Sequence, residues 1–255
     1  MNTEEIRLNK FIAEAGLCSR READRLIEAG RVTVDGQTAV TGMKVTPASK
    51  IVVDGKPTRS EEEKIFLAFN KPAGLICTTE IREGTENIYQ YLRYPKRIFS
   101  IGRLDKDSEG LLLLTNDGGI VNKIARSVNG HEKEYIVTVN KEITDEFLAA
   151  MAAGVTLSEI DATTRPCEIH KEGRRTFRII LTQGLNRQIR RMCAELGYRV
   201  RKLVRVRIMN IRLGGLAIGA YRNLTEEELR ELTRLTADSR VSYSPAEDKT
   251  TPEGE

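Results

Sequence analysis

Apolar residues in the first sixty positions recur at two different periods. Leu8, Phe11, Ile12 and Ala15 fall at helical spacing, and Gly16 ends the run. Ser19 then stands as an N-cap with Glu22 three residues on, the pattern of a capping box. Ala23, Leu26 and Ile27 give this second helix its apolar face, which Gly30 closes. Beyond Gly30 the pattern shortens. Val32-Thr33-Val34 and Gln37-Thr38-Ala39-Val40 flank Asp35-Gly36, and Ile51-Val52-Val53 precedes Asp54-Gly55, so two hairpin turns are predicted.

The run Ser60-Glu61-Glu62-Glu63-Lys64 has no apolar position and marks a boundary. It divides a small module, residues 6–60, from a larger one, residues 64–236. Residues 237–255 are polar, contain Pro245 and Pro252, and read as a disordered tail. In the larger module, strands are predicted at 65–69, 111–114, 135–139, 176–182 and 200–208, with a turn at Asn70-Lys71-Pro72-Ala73-Gly74. Helices are predicted at 118–127, 144–153, 187–196 and 225–235, with Thr144 and Thr225 as N-caps before acidic first turns. Strands and helices mix without regular alternation, which predicts an α+β fold.

Composition narrows the class. The chain is 40% hydrophobic and 31% charged, as expected of a globular protein with a true core. No apolar run approaches a membrane span, and Met1 to Lys10 is too polar for a signal peptide, so a soluble cytoplasmic protein is expected. Cys18, Cys77, Cys167 and Cys193 are scattered, and His131 and His170 have no ligand spacing to them, so no metal site is expected. The net charge is only +4, but it is unevenly spread. Arg187, Arg190, Arg191, Arg199, Arg201, Lys202, Arg205, Arg207 and Arg212 face a single acid, Glu195. A stripe of that density predicts a polyanion footprint.

One string carries the chemistry: Ser100-Ile101-Gly102-Arg103-Leu104-Asp105-Lys106-Asp107-Ser108-Glu109-Gly110. Asp105 lies between Arg103 and Lys106, and nearby positive charge favours an ionised carboxylate, available as nucleophile or base. An Asp in a Gly-bounded loop is more often a turn residue, and Asp107 suits that role better. Tyr135, in Lys133-Glu134-Tyr135-Ile136-Val137, is by default a packing residue at the head of a strand. Gln183-Gly184-Leu185-Asn186-Arg187-Gln188-Ile189-Arg190-Arg191-Met192 predicts a basic helix with Arg187 and Arg190 on one face. Arg20 and Arg21 open the second helix of the first module, where amides and dipole also favour a phosphate, and Lys10 and Arg25 are placed to join them.

These strings resemble the RsuA-type family of RNA pseudouridine synthases, from about Arg7 to Leu235. The first module resembles the S4 RNA-binding domain, through Arg20-Arg21-Glu22-Ala23 and Gly30-Arg31-Val32-Thr33-Val34-Asp35-Gly36. Asn186-Arg187-Gln188-Ile189-Arg190-Arg191-Met192 points to the large-subunit rRNA pseudouridine synthase F branch. The resemblance implies a catalytic domain on a mixed, largely antiparallel sheet with flanking helices. It implies an enzyme that isomerises uridine in 23S ribosomal RNA, with Asp105 as the indispensable carboxylate. Tyr135 would stack on the extruded base, and Arg190 would pair with Asp105. Arg103, Leu104, Lys106, Arg187, Gln188, Ile189 and Arg190 would line the RNA-binding surface, and Lys133 would meet backbone phosphate. The cations of the 200–208 strand are expected to face RNA. Such chemistry needs no cofactor, and a monomer is expected. Transfer RNA as a second substrate, a base glycosylase, and a non-catalytic ribosome-assembly factor stay open.

Overall fold

The computed structural model describes residues 5–58, 63–126 and 129–239. The expected 237–255 tail and residue Ser127 fall wholly or largely outside them. Two compact units form. Of the described residues, one takes those up to 65 with 95–98 and 116–118; the other takes 66–94, 99–115 and those from 119 to 239.

In the first unit, helices Leu8–Glu14 and Arg20–Glu28 pack Leu8, Phe11, Ile12, Ala23 and Ile27 over Val32, Ile51 and Val53. The Ser19 hydroxyl accepts from the Glu22 amide at 3.1 Å, but Glu22 pairs with Arg25 at 3.2 Å, so the capping box is half made. Val32–Val34 is the centre of a small antiparallel sheet with Gln37–Thr38 on one side and Ile51–Val53 on the other. Both Asp-Gly turns carry two positive φ angles, 51° and 85° at Asp35-Gly36 and 50° and 74° at Asp54-Gly55. That is the turn whose twist matches a two-residue hairpin.

In the second unit, seven strands run side by side: Glu168–Gly173, Thr176–Leu181, Lys133–Val139, Val200–Ile208, Glu109–Thr115, Phe66–Lys71 and Tyr221–Asn223. Phe99–Ile101 and Ile211–Arg212 attach off this path. All junctions are antiparallel except one. Val200–Ile208 meets Glu109–Thr115 in parallel, through Val204 with Glu109 and Arg205 with Gly110. The fold is α+β on a mixed, largely antiparallel sheet.

The parallel seam separates two cores. On one side helices Asp145–Ala153 and Gln188–Glu195 bury Phe147, Met151, Ile189 and Met192 against Val137, Phe177, Ile179 and Leu203. On the other, Gly118–Ala125 and Glu226–Leu235 bury Ile124 and Leu232 against Ala68, Leu111, Leu113 and Ile208. Each fully buried Leu, Ile or Phe contributes about 1.5–3 kcal/mol. Thr144 caps the Phe147 amide at 3.2 Å, and Thr225 forms a complete capping box with Glu228. Among the described residues, no helix is long and apolar enough to cross a membrane, and no cluster of metal-ligating side chains forms.

Some elements differ from the pattern. The first strand of this unit runs on to Lys71, through the segment expected to turn, because Asn70 and Lys71 pair with Leu111 and Gly110 and are buried. Glu168–Gly173 is a polar edge strand held by backbone pairing to Thr176–Leu181, and Ile88–Leu92 is a short helix started by an Asn87 capping box.

Candidate active site

Asp105 sits in the loop between Phe99–Ile101 and Glu109–Thr115, at the mouth of the parallel seam. Two buried cations, Lys71 and Arg205, and the half-buried Arg190 hold that loop by its backbone. Lys71, fully buried, donates from Nζ to the carbonyls of Pro72 at 2.9 Å, Ser108 at 2.9 Å and Lys106 at 3.4 Å. Burial holds its ammonium below the ordinary lysine range, and the nearby Cys77, Asp105 and Asp107 act against that. Arg205 donates from Nε to the Leu111 carbonyl at 2.7 Å and from Nη1 to the Arg103 carbonyl at 3.3 Å. Arg190 donates from Nη2 to the Asp107 carbonyl at 3.0 Å and to Ser108 Oγ at 3.3 Å. A loop fixed through carbonyls leaves the carboxylate free of structural duty.

Two guanidinium groups face that carboxylate. Arg187 Nη1 lies 3.8 Å and Arg190 Nε 3.9 Å from Asp105 Oδ2, beyond hydrogen-bond length, and Arg190 Nε is buried with no acceptor. Arg187 also reaches Asp107 Oδ2 at 3.9 Å, so the predicted single partner is a shared pair. Arg187 enters its helix with φ of 50°, which turns its side chain towards the loop.

A cleft of about 950 Å³ opens beside Asp105. Arg103, Leu104, Lys106, Lys133, Tyr135, Arg187, Gln188, Ile189 and Arg205 line it. Tyr135 is half-buried, packs against the first core, and keeps part of its surface in the cleft. The site residues expected in this unit are therefore gathered in one place. Their roles in RNA contact divide. Arg103, Lys106 and Arg187 are exposed, whereas Leu104 and Ile189 belong to the buried wall. The Gln188 side chain turns back, accepting from the Leu185 amide at 3.0 Å. In the first unit, Arg20 and Arg21 are exposed; Lys10 pairs with Glu14 at 3.7 Å and Arg25 with Glu22.

The 200–208 strand divides the cations expected to face RNA: Arg201 and Lys202 are exposed, Arg205 lines the cleft, and Arg207 turns onto carboxylates. A register shift against Glu134 and Tyr135 leaves Val206 unpaired, so Arg205 and Arg207 lie on opposite faces. Both turn inward. Arg207 binds Glu134 Oε2 at 2.5 Å and Glu132 Oε2 at 3.0 Å, while Arg205 holds the loop that carries Asp105. Lys202 pairs with Glu109 at 3.3 Å, and Arg201 is exposed.

Lys71 was not identifiable from its turn-like setting. Replacing it with Met keeps the length but leaves the Pro72 and Ser108 carbonyls without this donor, each worth roughly 1–3 kcal/mol when orphaned, while the Lys106 carbonyl keeps the Gly74 amide at 2.7 Å. Lys71→Met is expected to lose about 3 kcal/mol of stability in urea unfolding and to slow turnover by loosening Asp105.

Comparison with known proteins agrees with this geometry. Residues 65–195 match the family described as RNA pseudouridylate synthase, and residues 6–51 match the S4 domain. The chain is 50% identical over 242 residues to the dual-specificity RNA pseudouridine synthase RluF of Escherichia coli, covering 94% of this chain and 82% of that one. It is 36% identical to the ribosomal large subunit pseudouridine synthase B of Bacillus subtilis, covering 93% of this chain and 99% of that one. A crystal structure of a pseudouridylate synthase superposes with a TM-score of 0.66 at 31% identity, over 89% of this chain and 99% of the other.

Proposed function

Because the chain belongs to the RNA pseudouridylate synthase family and carries an S4 domain, we propose that it isomerises specific uridines of 23S ribosomal RNA, with Asp105 as the essential carboxylate. That it is an RNA pseudouridine synthase follows from the family; the target and the residue roles are our reading. The observation that carries it is the Asp105 carboxylate, faced by Arg187 and Arg190, at a cleft that Tyr135 also lines.

In this reading the 64–236 domain holds the target nucleotide flipped out of its stack, with uracil against the Tyr135 ring. The S4 domain adds affinity through Arg20 and Arg21, mainly by phosphate and shape, with salt-dependent strength. Asp105 assists departure of the base by attacking C1′ or by taking the C2′ proton; attack at uracil C6 is a third route. The detached ring rotates in the cleft and bonds to C1′ through C5. Exclusion of water matters, because water at C1′ would complete a hydrolysis. The residues supply all of this without a cofactor, and we take the enzyme to act as a cytoplasmic monomer. Transfer RNA is the second candidate substrate, supported by the dual-specificity name of the 50% identical relative.

The test is tritium release from RNA labelled at uridine C5, with ribosomal RNA and bulk transfer RNA assayed separately. Release from ribosomal RNA without free uracil is expected. Release from transfer RNA alone would move the target, and free uracil would make the protein a glycosylase.

A further inference from the structure

We propose that Lys133 is a further catalytic residue, whose ammonium faces the flipped uracil and neutralises the charge the ring acquires as the C1′–N1 bond breaks. The proposal rests on the synthase reading above and extends it to the fate of the leaving base.

Position comes first. Lys133 and Tyr135 are two residues apart on one strand, so their side chains share a face, and both line the cleft beside Asp105. If uracil stacks on the Tyr135 ring, the neighbouring side chain on that face lies at the edge of the base. The strands on either side place Leu181 and Ile208 opposite Lys133. Flanked by these apolar residues, the Lys133 side chain is partly covered, unlike the exposed Arg103 and Lys106 of the same cleft.

Partnership comes second. Two other inward-facing cations of this unit are well partnered: Lys71 by three carbonyls, Arg207 by two carboxylates and a carbonyl. Lys133 donates only to the His131 carbonyl, at a long 3.4 Å, and has no ion pair among the described residues. Its sequence neighbours Glu132 and Glu134 are taken by Arg207, with Arg178 also on Glu134. Nearest in electrostatic effect is another cation, Arg205, whose Nη2 is itself buried without an acceptor. Burial first, and Arg205 second, pull the Lys133 ammonium down to about 8. A cation kept this way, with no anion of its own, is poised for an anion that arrives with the substrate.

Uridine supplies one during the reaction. When C1′–N1 breaks, the electron pair leaves with uracil, and the charge spreads over N1, O2 and O4. Lys133 donates a hydrogen bond to a ring oxygen while that charge exists. Rotation brings C5 to C1′; the new C–C bond forms, the C5 proton is lost to solvent, and N1 takes one up. Asp105 is regenerated, and the sum is an isomerisation with no co-reactant.

The experiment compares wild type, Lys133→Met and Lys133→Arg, each full-length and checked by thermal melting. It measures RNA affinity and the single-turnover rate on a 23S transcript. The same transcript made with 5-fluorouridine, a more acidic leaving base, is followed by nucleoside mass spectrometry. For Lys133→Met we expect a rate about 10²–10³-fold lower, the usual cost of one preorganised donor, at unchanged affinity. That deficit should shrink on the fluorinated transcript, and Lys133→Arg, which keeps the charge, should recover most of the rate. Weaker binding at an unchanged rate would make Lys133 a phosphate contact and overturn the proposal. An equal deficit on both transcripts would reduce it to a structural residue. Inactive wild type would defeat the synthase reading itself, an outcome the comparison keeps separate.

Discussion

Asp105→Asn is expected to abolish turnover, by more than about 10⁴-fold, as when a reaction's central nucleophile or base is removed. RNA affinity should stay within about two-fold. The structure explains why the two effects separate. The loop that carries Asp105 is anchored by Lys71, Arg190 and Arg205 through the carbonyls of Pro72, Arg103, Lys106, Asp107, Ser108 and Leu111. Among the described residues no hydrogen bond to the Asp105 carboxylate holds it, and the two arginines stand 3.8 and 3.9 Å away. Asn fills the same volume and disturbs none of those anchors. What it removes is the ability to attack C1′ or accept a proton. Asp107→Asn is the matched control: its side chain is exposed, and among the described residues its ion pair is with Arg187, at 3.9 Å. A loss below about three-fold is expected there. Tritium release and filter binding on the two variants together measure the contrast; equal loss in both would remove Asp105 from its role.

The sequence makes local structure visible where the signal is local. Asp35-Gly36 and Asp54-Gly55 announce their turns because few other residues accept two positive φ angles in succession. Thr144 and Thr225 announce helix starts because a hydroxyl must satisfy an orphan amide. Asp105, Tyr135, Arg187 and Arg190 stand out through their strings; folding brings the first three to one cleft and sets Arg190 3.9 Å from the Asp105 carboxylate. What is not legible depends on distant strands. Glu168–Gly173 pairs by backbone alone and needs no alternation of its side chains. Lys71 looks like a solvated turn residue until Glu109–Thr115 extends its strand and encloses it. Arg205 and Arg207 look like one cationic face, two residues apart, and only the bulge at Val206 sends them to opposite sides. Arg190 beside Asp105 is thus expected from its string, whereas the loop-anchoring roles of Lys71 and Arg205 emerge only from distant strand pairing.

Arg205 acts across the parallel seam, and the seam depends on one glycine. Gly110 has a φ of 101°, and a Cβ there would stand 2.3 Å from the Arg205 carbonyl oxygen and 2.8 Å from its amide nitrogen. Both are backbone atoms of the paired strand, so no rotamer change relieves the clash. Gly110→Ala is therefore expected to cost about 4 kcal/mol, combining backbone strain with forced separation of the strands. For a chain this size that lowers Tm by roughly 8–16 °C. Gly102 provides the comparison, since its φ is 72° but a Cβ there meets nothing within 4 Å. Gly102→Ala should cost only about 1 kcal/mol, the conformational part alone. Separation at Gly110 also moves Arg205, which ties Arg103 and Leu111 together on either side of Asp105. The folded fraction of Gly110→Ala should thus turn over more slowly than wild type below its Tm, while Gly102→Ala keeps most of its rate. Calorimetry and single-turnover assays at one temperature separate the two effects. Equal melting temperatures for both variants would show that strand contact at Gly110 does not support the site.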